Sequence, residues 1–239
     1  MTDPLYQTDS YLREFDATVT SVFSAERAVV LDRTAFYPGG GGQPCDFGTL
    51  KVKGSSYPVD KVKKQGDDVL HFLGGDLPLP SIGATSQGNL DWARRYELMR
   101  THTALHVLCG TIFRDYGAHV TGGDMQPLKG RLDFEFETMR GELVREIEAS
   151  INKEVAQARA IQVKILPREE AFQIPDLIRT KINLLPEGIT QVRTLEIVGL
   201  DLQADGGTHV HNTSEVGKIR VADYKSKGAI NKRIYIELE

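Results

Sequence analysis

Cysteine is scarce in this chain, with only Cys45 and Cys109 among 239 residues. Two thiols do not make a disulfide framework, and a chain of this length can bury a core without one. The sequence also lacks a run of about 18 apolar residues, the length that a membrane-spanning helix needs. Its first residues are polar and lack the basic and apolar regions of a signal peptide. We therefore expect a cytoplasmic protein with reduced thiols and no membrane partner.

The chain also has little net charge of either sign, with a formal value of −4. This argues against a broad, non-specific nucleic-acid binder, whose surface is usually clearly basic. One local exception lies in residues 218–233, where basic side chains outnumber acidic ones. The candidate phosphate-binding residues in this strip are Lys218, Lys225, Lys227, Lys232 and Arg233. The alternative is an edge hairpin whose lysines prevent aggregation.

The hydrophobic pattern changes near residue 88. Residues 12–90 hold short β-branched stretches between Gly and Pro turns, a pattern typical of a small barrel or sandwich. Strands are predicted at 17–22, 28–32, 50–53, 57–62 and 69–73, with an exit loop at 74–88. Asp91 is a predicted N-cap for a helix from Trp92 to about Tyr116.

A second predicted helix spans 139–159, with an apolar face made of Leu143, Ile147, Ile151 and Val155. Further strands are predicted at 162–166, 190–198, 216–222 and 233–238. Strands and helices segregated in this order favour an α+β fold. We therefore predict a small β-barrel-like domain at 1–88, followed by an α+β domain at 89–239.

Two histidine motifs indicate a metal site. His102 and His106 are spaced i, i+4 on the first predicted helix, so both imidazoles point the same way. The distant string from Asp205 to His209 adds an imidazole and a carboxylate, which would complete a zinc shell. Cys109, one turn beyond His106, is a less favoured ligand and a more typical small core residue. The alternative to a metal is a set of hydrogen-bonded core histidines.

A run of glycines is the other unusual string, Phe36-Tyr37-Pro38-Gly39-Gly40-Gly41-Gly42-Gln43-Pro44. Glycines let the backbone approach a ligand closely. The string is not a phosphate-binding Walker loop, because no Gly-Lys-Ser/Thr follows it. A flexible hairpin loop is the alternative.

Three strings in order carry a family resemblance: residues 36–44, residues 100–106 (R-T-H-T-A-L-H), and G-G-T-H-V at 206–210 followed by E-V-G at 215–217. Together they resemble the editing region of alanyl-tRNA synthetases, and more closely the free-standing alanyl-tRNA editing proteins called AlaX, in their medium-length form. The closing strands at 227–234 also look like those of the family. The resemblance spans nearly the whole chain.

The resemblance implies trans-editing, the hydrolysis of the ester that joins a wrong amino acid to tRNA(Ala). It implies chiefly Ser-tRNA(Ala) as substrate, with Gly-tRNA(Ala) as a second one, recognised at the acceptor end. It implies a barrel-like domain and an editing domain similar to that of threonyl-tRNA synthetases. With the two histidine motifs, it indicates one zinc ion per chain, with His102, His106 and His209 as ligands and Asp205 as the candidate fourth. The sequence gives no evidence of an obligatory protein partner.

Asp205 departs from the family, which usually has Cys at this position. A carboxylate oxygen can also bind zinc, although it is a harder donor than a thiolate. Asp205 can instead orient His209 or a bound water from outside the shell. The three histidines are therefore the firmer ligands, and no residue is assigned as the group that activates water.

Substrate contacts are predicted from residues beside these strings. The candidates are Thr34, Gly40, Gly41, Gly42, Gln43, Thr101, Thr103 and Thr208. Thr34 is the candidate hydrogen-bond partner of a serine hydroxyl, a contact that discriminates against alanine.

Two other functions compete with editing. A zinc peptidase usually carries Glu directly after the first His, where this chain has Thr103. The second is a non-catalytic tRNA- or RNA-binding module with a structural metal, which the Asp205 departure keeps open.

Overall fold

The computed structural model describes residues 1–179 and 188–239. Within this part of the chain, two compact units are present, Met1–Glu97 and Leu98–Glu239. The sequence-based division lies after residue 88. The α+β class, with a barrel in the first unit, is confirmed. No helix in the described ranges has both the length and the apolarity to cross a bilayer.

The first unit is built on a closed six-stranded barrel. Its strands, with two short flanking ones, are β1 (Asp3–Pro4), β2 (Glu14–Phe23), β3 (Ala28–Leu31), β4 (Arg33–Thr34), β5 (Gly48–Val52), β6 (Ser55–Gln65), β7 (Asp68–Leu73) and β8 (Thr85–Leu90). The barrel order is β2-β3-β7-β6-β5-β8, and β8 closes it by pairing with β2. Alternate residues of β2, namely Phe15, Ala17 and Val19, are buried in the core, as the period of a strand requires.

Strand β8 corrects the prediction of an exit loop at 74–88. Its inward positions are Ser86, Gly88 and Leu90, which lack the β-branched character of the other strands. The small residues are needed because Phe15 fills the space above them: a Cβ on Gly88 would lie 2.4 Å from the Phe15 ring. Ser86 Oγ donates a hydrogen bond to the Ala17 carbonyl at 3.0 Å. The small residues of β8 are therefore required by its packing against β2.

Helix α1 (Trp92–Tyr116) begins where the sequence predicts. The Arg94 N–H donates to Asp91 Oδ1 at 3.2 Å, so Asp91 caps the helix. Helix α2 (Gly141–Ala156) lies inside the predicted 139–159. Its buried face is Val144, Ile147, Ile151 and Val155, so Val144 replaces the predicted Leu143, which is only half-buried.

The second unit contains two antiparallel sheets. Its remaining elements are β9 (Val120–Gln126), β10 (Lys129–Glu135), β11 (Ile161–Pro167), the single turn α3 (Arg168–Ala171), β12 (Gln191–Ile197), β13 (Asp201–Ala204), β14 (Ile219–Ser226) and β15 (Asn231–Leu238). The four-stranded sheet has the order β14-β15-β10-β9, and the three-stranded sheet has the order β11-β12-β13. Strand β13 leads directly into the string that begins at Asp205.

Candidate metal centre

The middle of α1 carries His102 and His106, which lie in the protein interior. Ala104, Val107, Leu108 and Ile112 on the same helix are fully buried, and a helix that is apolar on most sides is a core helix. The two histidines are 5% and 8% exposed, and their ring centroids lie 5.0 Å apart. The spacing along the helix thus places both imidazoles at one buried point.

The string after β13 brings the other two side chains to the same point. The Gly207 N–H donates to Asp205 Oδ2 at 2.8 Å, which closes a turn of the kind that Asp favours. The His209 ring then lies 4.1 Å from the His102 ring and 4.8 Å from the His106 ring, measured between centroids. The structure therefore brings together the four predicted ligands from two distant segments.

The donor atoms of this group suit a small cation. One ligand atom from each of His102, His106, Asp205 and His209 lies within 4.8 Å of all the others. Asp205 Oδ1 is 3.5 Å from His102 Nε2 and 3.8 Å from His106 Nε2, and Asp205 Oδ2 is 3.0 Å from His209 Nε2. Ligand atoms around a tetrahedral zinc ion lie about 3.3 Å apart, because each is about 2.0 Å from the metal. Three imidazoles and one carboxylate at these separations fit such an ion.

The electrostatics favour the ligating forms of His102, Asp205 and His209. Burial, with the charge of neighbouring imidazoles, lowers the pKa of His102 well below its usual range. Burial lowers the pKa of His209 to about 4. Burial opposes ionisation of Asp205, but the facing His102 and His209 keep its pKa well below the usual value. Neutral imidazoles and an ionised carboxylate are the forms that bind metals.

Asp205 accepts hydrogen bonds from a residue that the sequence did not predict as part of the site. Arg193, on β12, donates from Nη1 to the Asp205 carbonyl at 2.9 Å and lies 3.3 Å from Oδ2. Oδ2 is thus anchored by protein donors, while Oδ1 points toward His102 and His106. The sequence offers no distinct signal for Arg193, because β12 also contains Gln191, Thr194 and Glu196.

The threonines beside the ligands contact protein groups. Thr103 Oγ1 lies 3.1 Å from His209 Nδ1 and accepts a hydrogen bond from the Val210 N–H at 3.3 Å. Thr101 Oγ1 accepts from the Leu128 N–H at 2.9 Å. Both side chains are fully buried, as is Thr208. The observed contacts of Thr103 orient His209 and tie α1 to the 205–210 string.

Cys109 is not part of the four-residue group. Its Sγ accepts a hydrogen bond from Gln203 Nε2 at 3.3 Å. Burial and the nearby Asp201 raise the pKa of the thiol, so it stays protonated. Cys109 is a small buried residue outside the candidate metal centre.

The glycine-rich string of the first unit forms a closed turn. The Gly40 N–H donates to the Gln43 carbonyl at 3.0 Å, and the Gln43 N–H donates back at 2.9 Å. Gly40 and Gly41 have φ of +134° and +58°, and Gln43 is 2% exposed. The base of the string is fixed by Asp46, which accepts from the Tyr37 N–H and pairs with the fully buried Arg95.

Thr34 precedes this turn and is fully buried. Its Oγ1 lies 2.8 Å from His71 Nε2 and accepts from the Phe36 N–H at 3.1 Å. In the first unit, the observed role of its hydroxyl is to fix the start of the glycine-rich string.

The basic strip begins at Lys218, directly before β14, and continues over β14, β15 and the turn between them. Lys218, Lys225 and Lys227 are exposed. Lys232 is buried and donates to the Gly228 and Ala229 carbonyls, each at 2.8 Å, and Arg233 pairs with Asp133 at 2.6 Å. The charged groups of Lys232 and Arg233 therefore form contacts within the second unit.

An aromatic ring lies among the basic groups of this strip. Lys225 Nζ and the Arg233 guanidinium lie 5.2 Å and 5.8 Å from the centre of the Tyr235 ring. Tyr235 is half-exposed and directly opposes Arg131 in the β10–β15 register. The sequence prediction missed Tyr235 and Arg131, because only strand pairing brings them beside the lysines.

Comparison with known proteins agrees with this geometry. Residues 10–94 match the family described as tRNA synthetases class II (A), and residues 192–235 match the family described as Threonyl and Alanyl tRNA synthetase second additional domain. The chain is 38% identical to an alanyl-tRNA editing protein AlaX-M of Saccharolobus solfataricus, over 98% of both chains. It is 36% identical to an AlaX-M protein of Methanosarcina barkeri, over 100% of this chain and 99% of the relative.

A longer relative matches over part of its length. The chain is 40% identical to an alanine–tRNA ligase of Thermococcus kodakarensis, over 92% of this chain but only 24% of the ligase. The AlaX-M proteins, in contrast, match from end to end. The chain therefore belongs to the AlaX-M family of alanyl-tRNA editing proteins.

Proposed function

We propose that this protein deacylates mischarged tRNA(Ala), with Ser-tRNA(Ala) as the chief substrate and Gly-tRNA(Ala) as a second one. The observation that carries the proposal is the buried group of His102, His106, Asp205 and His209, in a chain whose full-length relatives are alanyl-tRNA editing proteins. Ester hydrolysis requires a water nucleophile and stabilisation of a developing oxyanion, and a cation at this point serves both needs. A cytoplasmic location is part of the proposal, because tRNA charging and its correction share one compartment.

The proposed cofactor is one zinc ion per chain, held by three imidazole nitrogens and Asp205 Oδ1. Such an ion would polarise an ester carbonyl or lower the pKa of a bound water to about 7 when it takes a fifth ligand, or when Asp205 Oδ1 gives up its place to the water or substrate. Asp205 keeps Oδ1 available because Gly207 and Arg193 hold the other oxygen. Thr103 keeps His209 in place through Nδ1. These contacts preorganise the four donors before substrate arrives.

The glycine-rich turn of the first unit is proposed to contact the substrate. The contacts there would be the backbone at Gly40, Gly41 and Gly42, together with Gln43, which makes the closing hydrogen bonds of the turn. Thr34 would act by fixing the start of this string, since its hydroxyl holds the Phe36 N–H. The other proposed contacts, Thr101, Thr103 and Thr208, flank the metal ligands.

The proposed tRNA contact is the basic strip. Lys218, Lys225 and Lys227 offer exposed ammonium groups to phosphates, and Tyr235 adds a ring on which a base can stack. Lys232 and Arg233 would support this surface from within.

A deacylation panel tests the proposal. Ser-, Gly- and Ala-tRNA(Ala) are incubated with the purified protein, with and without a zinc chelator, and metal content is measured in parallel. We expect Ser-tRNA(Ala) to be hydrolysed, Ala-tRNA(Ala) to be spared, and chelation to stop turnover. His102→Ala and His106→Ala are expected to abolish hydrolysis, while His119→Ala, a half-buried histidine outside the group, retains it. Full activity of either ligand variant would show that the metal mechanism is wrong.

The alternative function is a non-catalytic RNA-binding module. It is favoured by one observation, that four protein donors converge, as they do in closed structural zinc sites. In the same panel, this function predicts tRNA binding and stoichiometric zinc with no hydrolysis of any aminoacyl form.

A further inference from the structure

His106 uses its two ring nitrogens in different surroundings. Its Nε2 faces the metal centre, 3.8 Å from Asp205 Oδ1. Its Nδ1 is buried and has no hydrogen-bond partner among the described residues. The nearest carboxylate oxygen to Nδ1 is Asp201 Oδ2, at 3.9 Å. A buried donor of this kind needs an acceptor.

Asp201 is a carboxylate built into the interior. Its side chain is 1% exposed, and Arg179 Nη2 lies 3.2 Å from Oδ1. Gln203 Nε2 donates to Oδ2. The carboxylate is therefore buried and fixed in direction, with Oδ2 on the side of His106.

Helix α1 has a glycine at the point where Asp201 packs against it. Gly110 lies one turn after His106, and a Cβ added there would be 2.7 Å from Asp201 Cβ and 3.2 Å from Asp201 Cγ. Any larger residue would push Asp201 away from the helix. Glycine weakens a helix interior relative to alanine, so its presence at this point indicates that the close approach has a use.

We propose that Asp201 is a positioning residue, which holds His106 in the metal-binding orientation by accepting a hydrogen bond from Nδ1–H. An imidazole that binds metal through Nε2 carries its proton on Nδ1, and a carboxylate partner fixes both the tautomer and the ring orientation. Closing the 3.9 Å separation to a hydrogen bond takes a shift of roughly 1 Å. The inference rests on the proposed metal site and adds Asp201 and Gly110 to it.

Zinc affinity measured by competition with a chromophoric chelator is the primary test. Asp201→Asn is expected to weaken zinc binding by about 10- to 100-fold, the usual effect of losing such a partner. Asp133→Asn is the matched control, because Asp133 is also a mostly buried carboxylate paired with an arginine. Unchanged zinc affinity in Asp201→Asn would overturn the inference. If wild-type protein binds no zinc, the proposed metal function itself fails, which is a different result.

Two further variants separate positioning from a structural role. Arg179→Gln removes the ion pair of Asp201 but leaves Oδ2 facing His106, so zinc affinity should stay within about threefold of wild type. If Arg179→Gln weakens zinc as much as Asp201→Asn, Asp201 acts only as a partner of Arg179. Gly110→Ala should weaken zinc binding although alanine favours the helix.

A spectroscopic readout on the unmodified protein removes any dependence on the folding of a variant. In zinc-loaded wild-type protein, nitrogen-detected NMR should show a protonated, slowly exchanging Nδ1 on His106. A proton on Nε2 of His106 would contradict the proposal.

Discussion

Several buried polar residues in this protein are held in a fixed direction by a second residue. Asp205 is anchored through Oδ2 by Gly207 and Arg193, and His209 is anchored through Nδ1 by Thr103. In the barrel, Thr34 and His71 hold each other in the same way. Such pairs are stable because each partner satisfies a group that would otherwise be desolvated without a hydrogen bond.

His71 gives a pH prediction for the barrel. Burial lowers its pKa from 6.5 to about 4. As the pH falls below 6.5, the unfolded chain binds a proton that the folded chain resists, so the free energy of unfolding decreases until the pH reaches about 4. The full loss from this group is about 3 kcal/mol, at 1.36 kcal/mol per pKa unit.

Urea unfolding of wild type and His71→Leu at several pH values measures this effect. The variant lacks the titrating group, so its free energy of unfolding should fall less steeply between pH 6.5 and 4. We expect the wild type to lose about 2 kcal/mol more than the variant between pH 7.5 and pH 5. Parallel curves for the two proteins would contradict the buried, neutral state of His71.

Among the helices and strands, the sequence predicts those whose signals lie close together along the chain. Helix α1 is predictable because its cap, its period and the paired histidines are all local. Strands β9, β10 and β13 were missed, and β8 was taken for a loop, because their sequences are polar or glycine-rich. In β9, Gly123 lies against Leu132 of β10, where a Cβ would be 2.8 Å from Leu132 Cδ2. That requirement exists only once the strands pair.

The candidate site shows the same division. His102, His106, Asp205 and His209 were found because each pair lies within a short string. Asp201 and Arg193 were missed because their roles depend on the β12–β13 pairing, which places both near the 205–209 string. Residues that contact a metal-ligating side chain can therefore be identified only from the tertiary structure.

The glycine-rich turn carries a prediction at the scale of structural elements. Gly41 has φ +58° and an added Cβ would meet nothing within 4 Å in the structure. Alanine there costs roughly 1–2 kcal/mol for its left-handed backbone. If the turn makes the proposed substrate contact, Gly41→Ala should also lower kcat/KM for Ser-tRNA(Ala) by about tenfold, equivalent to about 1.4 kcal/mol.

Gly54→Ala is the matched control for this variant. Gly54 has φ +85°, lies in the turn between β5 and β6, and also has open space around it. We expect similar losses in thermal midpoint for the two variants, with unchanged deacylation in Gly54→Ala. Equal activity of both variants would show that the glycine-rich turn does not contact the substrate.

The whole molecule carries a net charge of −4, which opposes the approach of a polyanion such as tRNA. Binding must therefore depend on a local surface, and its strength should depend on salt through the phosphates that this surface neutralises. Exposed lysines occur in both units, on the barrel at Lys51, Lys63 and Lys64 and in the basic strip at Lys218, Lys225 and Lys227. Their number and formal charge are the same, although Lys218 and Lys225 also lie beside Glu239 and Asp223.

Two triple alanine variants use this match to locate the tRNA surface. Both change the net charge by the same amount, so any difference in tRNA affinity reports which face binds. Replacing Lys218, Lys225 and Lys227 should weaken binding and reduce the slope of log K against log salt by about 2, from roughly 0.7–0.9 for each lost phosphate contact. Replacing Lys51, Lys63 and Lys64 should leave the slope unchanged, as measured by fluorescence anisotropy of labelled tRNA(Ala) over a salt series. A larger effect of the barrel set would assign the tRNA to the first unit, and equal effects would mean that binding follows net charge alone.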